Sequence, residues 1–141
     1  MQDIAEKPIV LSKLDEACRG LNTSNHTVSY FKPFTYDAIT NGRPNIENML
    51  SWAGYSTDES VEVLSLRHFL APVTSQLPEY GIGEKTLALR YLKLQNSLEE
   101  LLDTIRVFRI GEKKSEAIVI GKTSENNYAG LRIAHEHSLL F

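Results

Sequence analysis

Residues 87–110 read LALRYLKLQNSLEELLDTIRVFRI, and residues 117–134 read AIVIGKTSENNYAGLRIA. In the first stretch Leu87, Tyr91, Leu94, Leu98, Leu101, Leu102 and Ile105 recur at three- and four-residue steps, with charged residues on the opposite side. That spacing predicts one amphipathic helix of about five turns, running to Ile105. The period then changes. Short runs rich in β-branched and aromatic residues predict strands over Arg106–Ile110, Ala117–Ile120 and Tyr128–Ala134. Gly111–Ser115 and Gly121–Asn127 separate them, lengths suited to hairpins, and Gly111 and Gly121 are expected in turns that need positive φ. Gly130, inside a strand pattern, predicts a bulge or a close backbone approach. A long helix followed by three consecutive strands predicts an α+β fold whose C-terminal antiparallel meander packs on that helix.

Toward the N-terminus, Leu11, Leu14, Ala17, Cys18 and Leu21 form another helical stripe, with Gly20 near its stop. The polar run Asn22–Thr27 predicts a loop. Val28, Tyr30, Phe31, Phe34 and Tyr36 predict an aromatic strand, and Pro33, which has no N–H, confines it to an edge or a bulge. Asn41-Gly42 marks a turn, and Ile46, Met49, Leu50 and Ala53 share a helical face that Gly54 ends. Residues from Val61 alternate into a short strand and then a helical turn over Arg67–Leu70, which Pro72 should stop; Pro72–Gly83 reads as irregular loop.

With 141 residues, 42% hydrophobic and 23% charged, the chain fits one domain over residues 1–141. A single cysteine, Cys18, excludes an internal disulfide. Met1–Val10 carries Asp3, Glu6, Lys7 and Pro8 where a leader would need an apolar core, and no apolar run approaches the ~20 residues of a membrane span. A cytoplasmic location is expected. Net charge is −3, but residues 1–105 hold 9 Lys and Arg against 14 Asp and Glu, whereas residues 106–132 hold 6 against 3. Such an asymmetry can orient a partner.

Candidate chemistry is sparse. His135-Glu136-His137 would place two imidazoles on one face of a strand, without a third local ligand, and a solvated tail is the simpler expectation. Gly81-Ile82-Gly83-Glu84-Lys85-Thr86 lacks the glycine spacing and the preceding strand of a phosphate loop. No nucleophile–base pattern is present, so the chain is not expected to be an enzyme, nor to hold a metal or cofactor. The basic segment interleaves Arg106, Arg109, Lys113, Lys114, Lys122 and Arg132 with Phe108 and Tyr128, an arrangement that could bind an anionic ligand or nucleic acid by charge and stacking, although a solvated sheet face is the simpler expectation. Glu99, Glu100 and Asp103 read as a solvated helix face.

Val107-Phe108-Arg109-Ile110-Gly111-Glu112, then Val119-Ile120-Gly121-Lys122-Thr123 and Ala129-Gly130-Leu131, resemble the nuclease A inhibitor family, and the likeness extends from about Leu11 to Ser138. The resemblance implies an α-β-α sandwich of the pathogenesis-related-protein type. It also implies a protein that binds and blocks a sugar-non-specific, metal-dependent DNA and RNA nuclease; direct binding of nucleic acid is not expected from the spread of the basic residues. Family members present a loop glutamate and a C-terminal hydroxyl near the nuclease's metal. In this chain the matching loop is Asn22-Thr23-Ser24-Asn25-His26-Thr27, with Asn25 or His26 at the glutamate's place and no carboxylate. Ser138 is the nearest counterpart of the hydroxyl, and Leu139-Leu140-Phe141 follow it. Asn22, Thr23, Ser24, Asn25, His26, Thr27 and Ser138 are therefore the candidate partner-binding residues.

Overall fold

The computed structural model describes residues 9–19, 21, 28–74, 82–111 and 116–136. Its elements run α1 (Ile9–Ala17), β1 (Val28–Asp37), α2 (Ala38–Asn41), α3 (Ile46–Ala53), β2 (Val61–Leu64), α4 (Leu66–Thr74), α5 (Ile82–Leu101), β3 (Asp103–Ile110), β4 (Glu116–Ser124) and β5 (Asn127–Glu136). The strands form one antiparallel sheet in the order β1-β5-β4-β3-β2. The meander read from the sequence is thus the middle of the sheet, and β1, which contains Pro33, lies at an edge.

Residues 117–120 explain why β4 is central. Ala117, Ile118, Val119 and Ile120 are all buried, and a strand apolar on both sides has to be covered on both faces. Ala117 and Val119 join Val107, Leu131 and Ile133 beneath Leu14 and Cys18 near α1, Leu66 and Leu70 of α4, and Leu94 and Leu98 of α5. Ile118 and Ile120 join Phe34, Tyr36, Phe108 and Ile110 against Met49 and Leu50 of α3. Helices therefore pack on both faces of a five-stranded sheet, an α+β arrangement. α3 is fixed at both ends. The Asn45 side chain accepts from the Asn48 N–H at 2.8 Å, and Gly54 adopts φ 93°, a left-handed cap that suits glycine.

Several expectations need correction. α5 ends at Leu101, and Ile105 belongs to β3. Thr104, at φ 53°, and a register shift between Asp103 and Arg106 turn the chain there. Leu102 and half-buried Ile105 still pack on the same apolar cluster as the helix, so the helical spacing persists past the helix itself. The side chain of Leu87 lies outside the described residues. Pro72 does not stop α4, which continues to Thr74. It falls in the last turn and removes one amide hydrogen bond there, but Leu66 and Leu70 anchor the helix in the core shared with α5. The loop expected over residues 72–83 is consequently shortened from both sides, and 75–81 lie outside the described residues. β4 and β5 extend to a tight turn at Glu125-Asn126, with Asn126 at φ 65°. Gly111 has the expected positive φ of 88°, but Gly121 sits within β4, where a Cβ would lie 2.7 Å from that of Leu102. Its small size, not its backbone freedom, is what the site requires. The sequence reading missed α2, which Asp37 caps by accepting from the Ile39 N–H at 2.9 Å.

Candidate partner-binding site

Antiparallel pairing decides which connections share an end of the sheet. β1 begins where β5 finishes, with Val28 opposite Glu136 and Ser29 opposite His135. β4 begins opposite Ala134, and β3 finishes opposite Glu116. The segments entering β1, joining β3 to β4 and following β5 therefore attach to one end. Asn22, Thr23, Ser24, Asn25, His26, Thr27 and Ser138 themselves lie outside the described residues. Their attachment is described. Leu21, 2% exposed, is set in the core with its N–H on the Cys18 carbonyl at 3.2 Å, and after six intervening residues the chain enters β1 at Val28. Paired Cα atoms across such a ladder are about 4.5–5.5 Å apart. Asn22–Thr27 and the segment holding Ser138 thus start from neighbouring positions.

Near this end, on the α3 face, lies a polar cluster that the sequence reading missed. Glu116 of β4, 9% exposed, accepts from the Arg132 guanidinium at 2.6 and 3.1 Å and from the Tyr55 hydroxyl. Arg132 also donates to the Ala53 carbonyl at 3.4 Å and stands 5.5 Å from the centre of the Trp52 ring. Burial first, then the hydrogen bond to Glu116 and its negative charge, push the Tyr55 hydroxyl up to about 12. The available signal was a Glu at the head of an apolar strand, with an Arg between Leu131 and Ile133 in the neighbouring one.

Among the described residues the basic segment does not form the cationic stacking surface considered from sequence; Lys113 and Lys114 lie outside them. Phe108 is 4% exposed and belongs to the core, and Tyr128 packs half-buried against Tyr36. Arg132 is paired with Glu116, and Arg109 with Glu62 at 3.6 Å. Glu99 is not simply solvated. It accepts two bonds from Arg67, both at 2.9 Å, and these hold its carboxyl below the usual range. Asp103 lies in β3 and not on the helix. α5 begins at Ile82, so Gly83–Thr86 are helical. The side chain of His135, and all of His137, lie outside the described residues. Cys18 is buried and donates to the Asp15 carbonyl at 3.5 Å; burial, then the nearby Asp15 charge, push its thiol up to about 11, so it is protonated at neutral pH and a poor nucleophile.

Among the described residues no group of three His, Cys, Asp or Glu side chains is placed to hold a metal ion, and no helix is long and apolar enough to cross a membrane. No curated protein matches the chain. A family model described as nuclease A inhibitor-like protein matches residues 9–134. That span takes in every described strand and helix apart from the last rungs of β5, and the chain belongs to the nuclease A inhibitor-like family.

Proposed function

We propose that this chain is a non-enzymatic, cytoplasmic inhibitor that binds and blocks a sugar-non-specific, metal-dependent nuclease. Asn22–Thr27 and Ser138 enter the nuclease's active site together. The observation that supports this most is the pairing of Val28 with Glu136, which attaches both segments to the same rung at one end of the sheet. Family membership supplies the class of partner. Packing of helices on both faces supports an α-β-α sandwich of the pathogenesis-related type, formed by residues 1–141 as one domain. The acidic balance of residues 1–105 steers a basic nuclease toward the surface.

The loop carries no carboxylate, the hard-oxygen group best suited to a Mg²⁺ coordination shell. Asn25→Glu or His26→Glu should therefore tighten inhibition by about ten- to hundredfold, the worth of one well-placed charge-assisted contact. Inhibition constants for the parent and both variants, at fixed Mg²⁺ and salt, test this. Absence of inhibition by all three would reject the proposed target class. The pure protein with Mg²⁺ should show no turnover of DNA or RNA.

A further inference from the structure

α3 covers the sheet face at Phe34, Tyr36 and Ile118, but further along β1 the same face carries exposed Lys32 and Tyr30, the latter 55% exposed. Across β5 these two face Arg132 and Ala134. The small side chain of Ala134 leaves a trough of about 420 Å³, with Trp52 and Phe34 among its lining residues. That volume lies in the usual range of small-molecule sites, about 300–1,000 Å³.

Charge and ring chemistry select the occupant. Lys32 stands directly opposite Arg132, and like charges across a ladder are unfavourable. Glu116 compensates Arg132 through two hydrogen bonds, whereas Lys32 has no ion-pair partner among the described residues. Among the described residues, Lys32 is accordingly the trough's one uncompensated cation. The rest of the lining is the Glu116–Arg132 pair, Ala134 and three rings: Tyr30 stands out on β1, and Trp52 lies against Phe34 with ring centres 4.7 Å apart. An occupant that answers both features joins an anionic group to a flat ring, and bases stack on aromatic side chains irrespective of sequence.

We infer that this trough binds a nucleoside monophosphate unit, with its base against Tyr30 and Trp52 and its phosphate on the Lys32 ammonium. The unit is either a free mononucleotide or the phosphorylated end of a strand. The inference is independent of nuclease inhibition.

Trp52 is the single tryptophan of the chain, so its fluorescence reports directly on the trough. Titration of the full chain with adenosine 5′-monophosphate at low salt should give saturable quenching, confirmed by calorimetry. Lys32→Ala and Tyr30→Ala, both at exposed positions, should leave the melting temperature unchanged and weaken binding by about tenfold or more. A 5′-phosphorylated oligothymidylate that competes would assign the site to strand ends; failure to compete, with adenosine monophosphate still bound, would assign it to free nucleotides. No response to adenosine monophosphate would overturn the inference. So would equal affinity for inorganic phosphate, or tighter binding of an Asp-Phe dipeptide, which would give the trough to a protein chain.

Discussion

A methyl group on Gly130 would fall on the backbone carbonyl of Val119, whereas one on Gly121 would meet the Leu102 side chain at 2.7 Å. Backbone inside a central sheet yields less than a side chain, so the two substitutions should differ. Gly130→Ala should cost at least about 3 kcal/mol and Gly121→Ala about 1–3 kcal/mol, while Gly54→Ala, which meets open space, should carry only the strain of its left-handed φ, about 1–2 kcal/mol. Urea unfolding of the three variants ranks them; Gly130→Ala no worse than Gly54→Ala would disprove the close approach. Two weak acids, buried Cys18 and half-buried Tyr55, give a pH dependence at the same scale. The folded state raises Cys18 to about 11 and Tyr55 to about 12, so it retains both protons after the unfolded chain has lost them. Stability from these groups is complete below their unfolded values and is lost as pH rises, from about 9 to 11 for the thiol and about 10 to 12 for the phenol. Between pH 9 and 11 the thiol alone should remove about 2 kcal/mol. Cys18→Ala should flatten that part of the curve, and an unchanged slope in denaturant titrations at stepped pH would exclude the thiol as its origin.

The long helix shows which elements a sequence declares and which it conceals. Leu98 is wholly buried in the cluster shared by α1, α4, α5 and the sheet, so Leu98→Asp should place an unpaired charge in the core and abolish folding. Glu99, one residue on, forms an exposed pair with Arg67, and Glu99→Ala should lower stability by less than about 1 kcal/mol. Circular dichroism and thermal melts of both decide it; if both melt like the parent, the buried face has been misassigned. The stripe from Tyr91 to Leu101 was legible because one helix faces one core. Its end was not, because no Gly or Pro marks it: Thr104, an ordinary residue at positive φ, reverses the chain while Ile105 keeps its place on the same cluster. Pro72 misled in the opposite direction, since packing of Leu66 and Leu70 outweighs the one amide bond that proline removes. Edge position was readable in β1 from Pro33, whereas the order of the central strands depends on long-range pairing that local periodicity does not encode.

At the scale of the molecule, the site is a consequence of that pairing. Asn22–Thr27 and Ser138 are more than a hundred positions apart in sequence, and only the β1–β5 ladder, ten rungs ending at Val28 and Glu136, brings their attachment points together. No local signal joins an N-terminal loop to a C-terminal segment, which is why the candidates came from resemblance and not from spacing. The same ladder yields a test that neither segment gives alone. If both reach one spot on the nuclease, their contributions to inhibition are coupled; if they touch separate surfaces, substitutions more than about 7–10 Å apart add within about 0.3–0.5 kcal/mol. Inhibition constants for the parent, His26→Ala, Ser138→Ala and the double variant close the cycle. The expected coupling is at least about 0.5 kcal/mol, with unfolding midpoints unchanged, since neither position falls within a described element of the sheet or its helices. Additive losses would mean two independent contacts. A fall in stability in either single variant would give the affected segment a part in the fold. Coupling without destabilisation is the result that only a shared partner contact, set up by the Val28–Glu136 rung, accounts for.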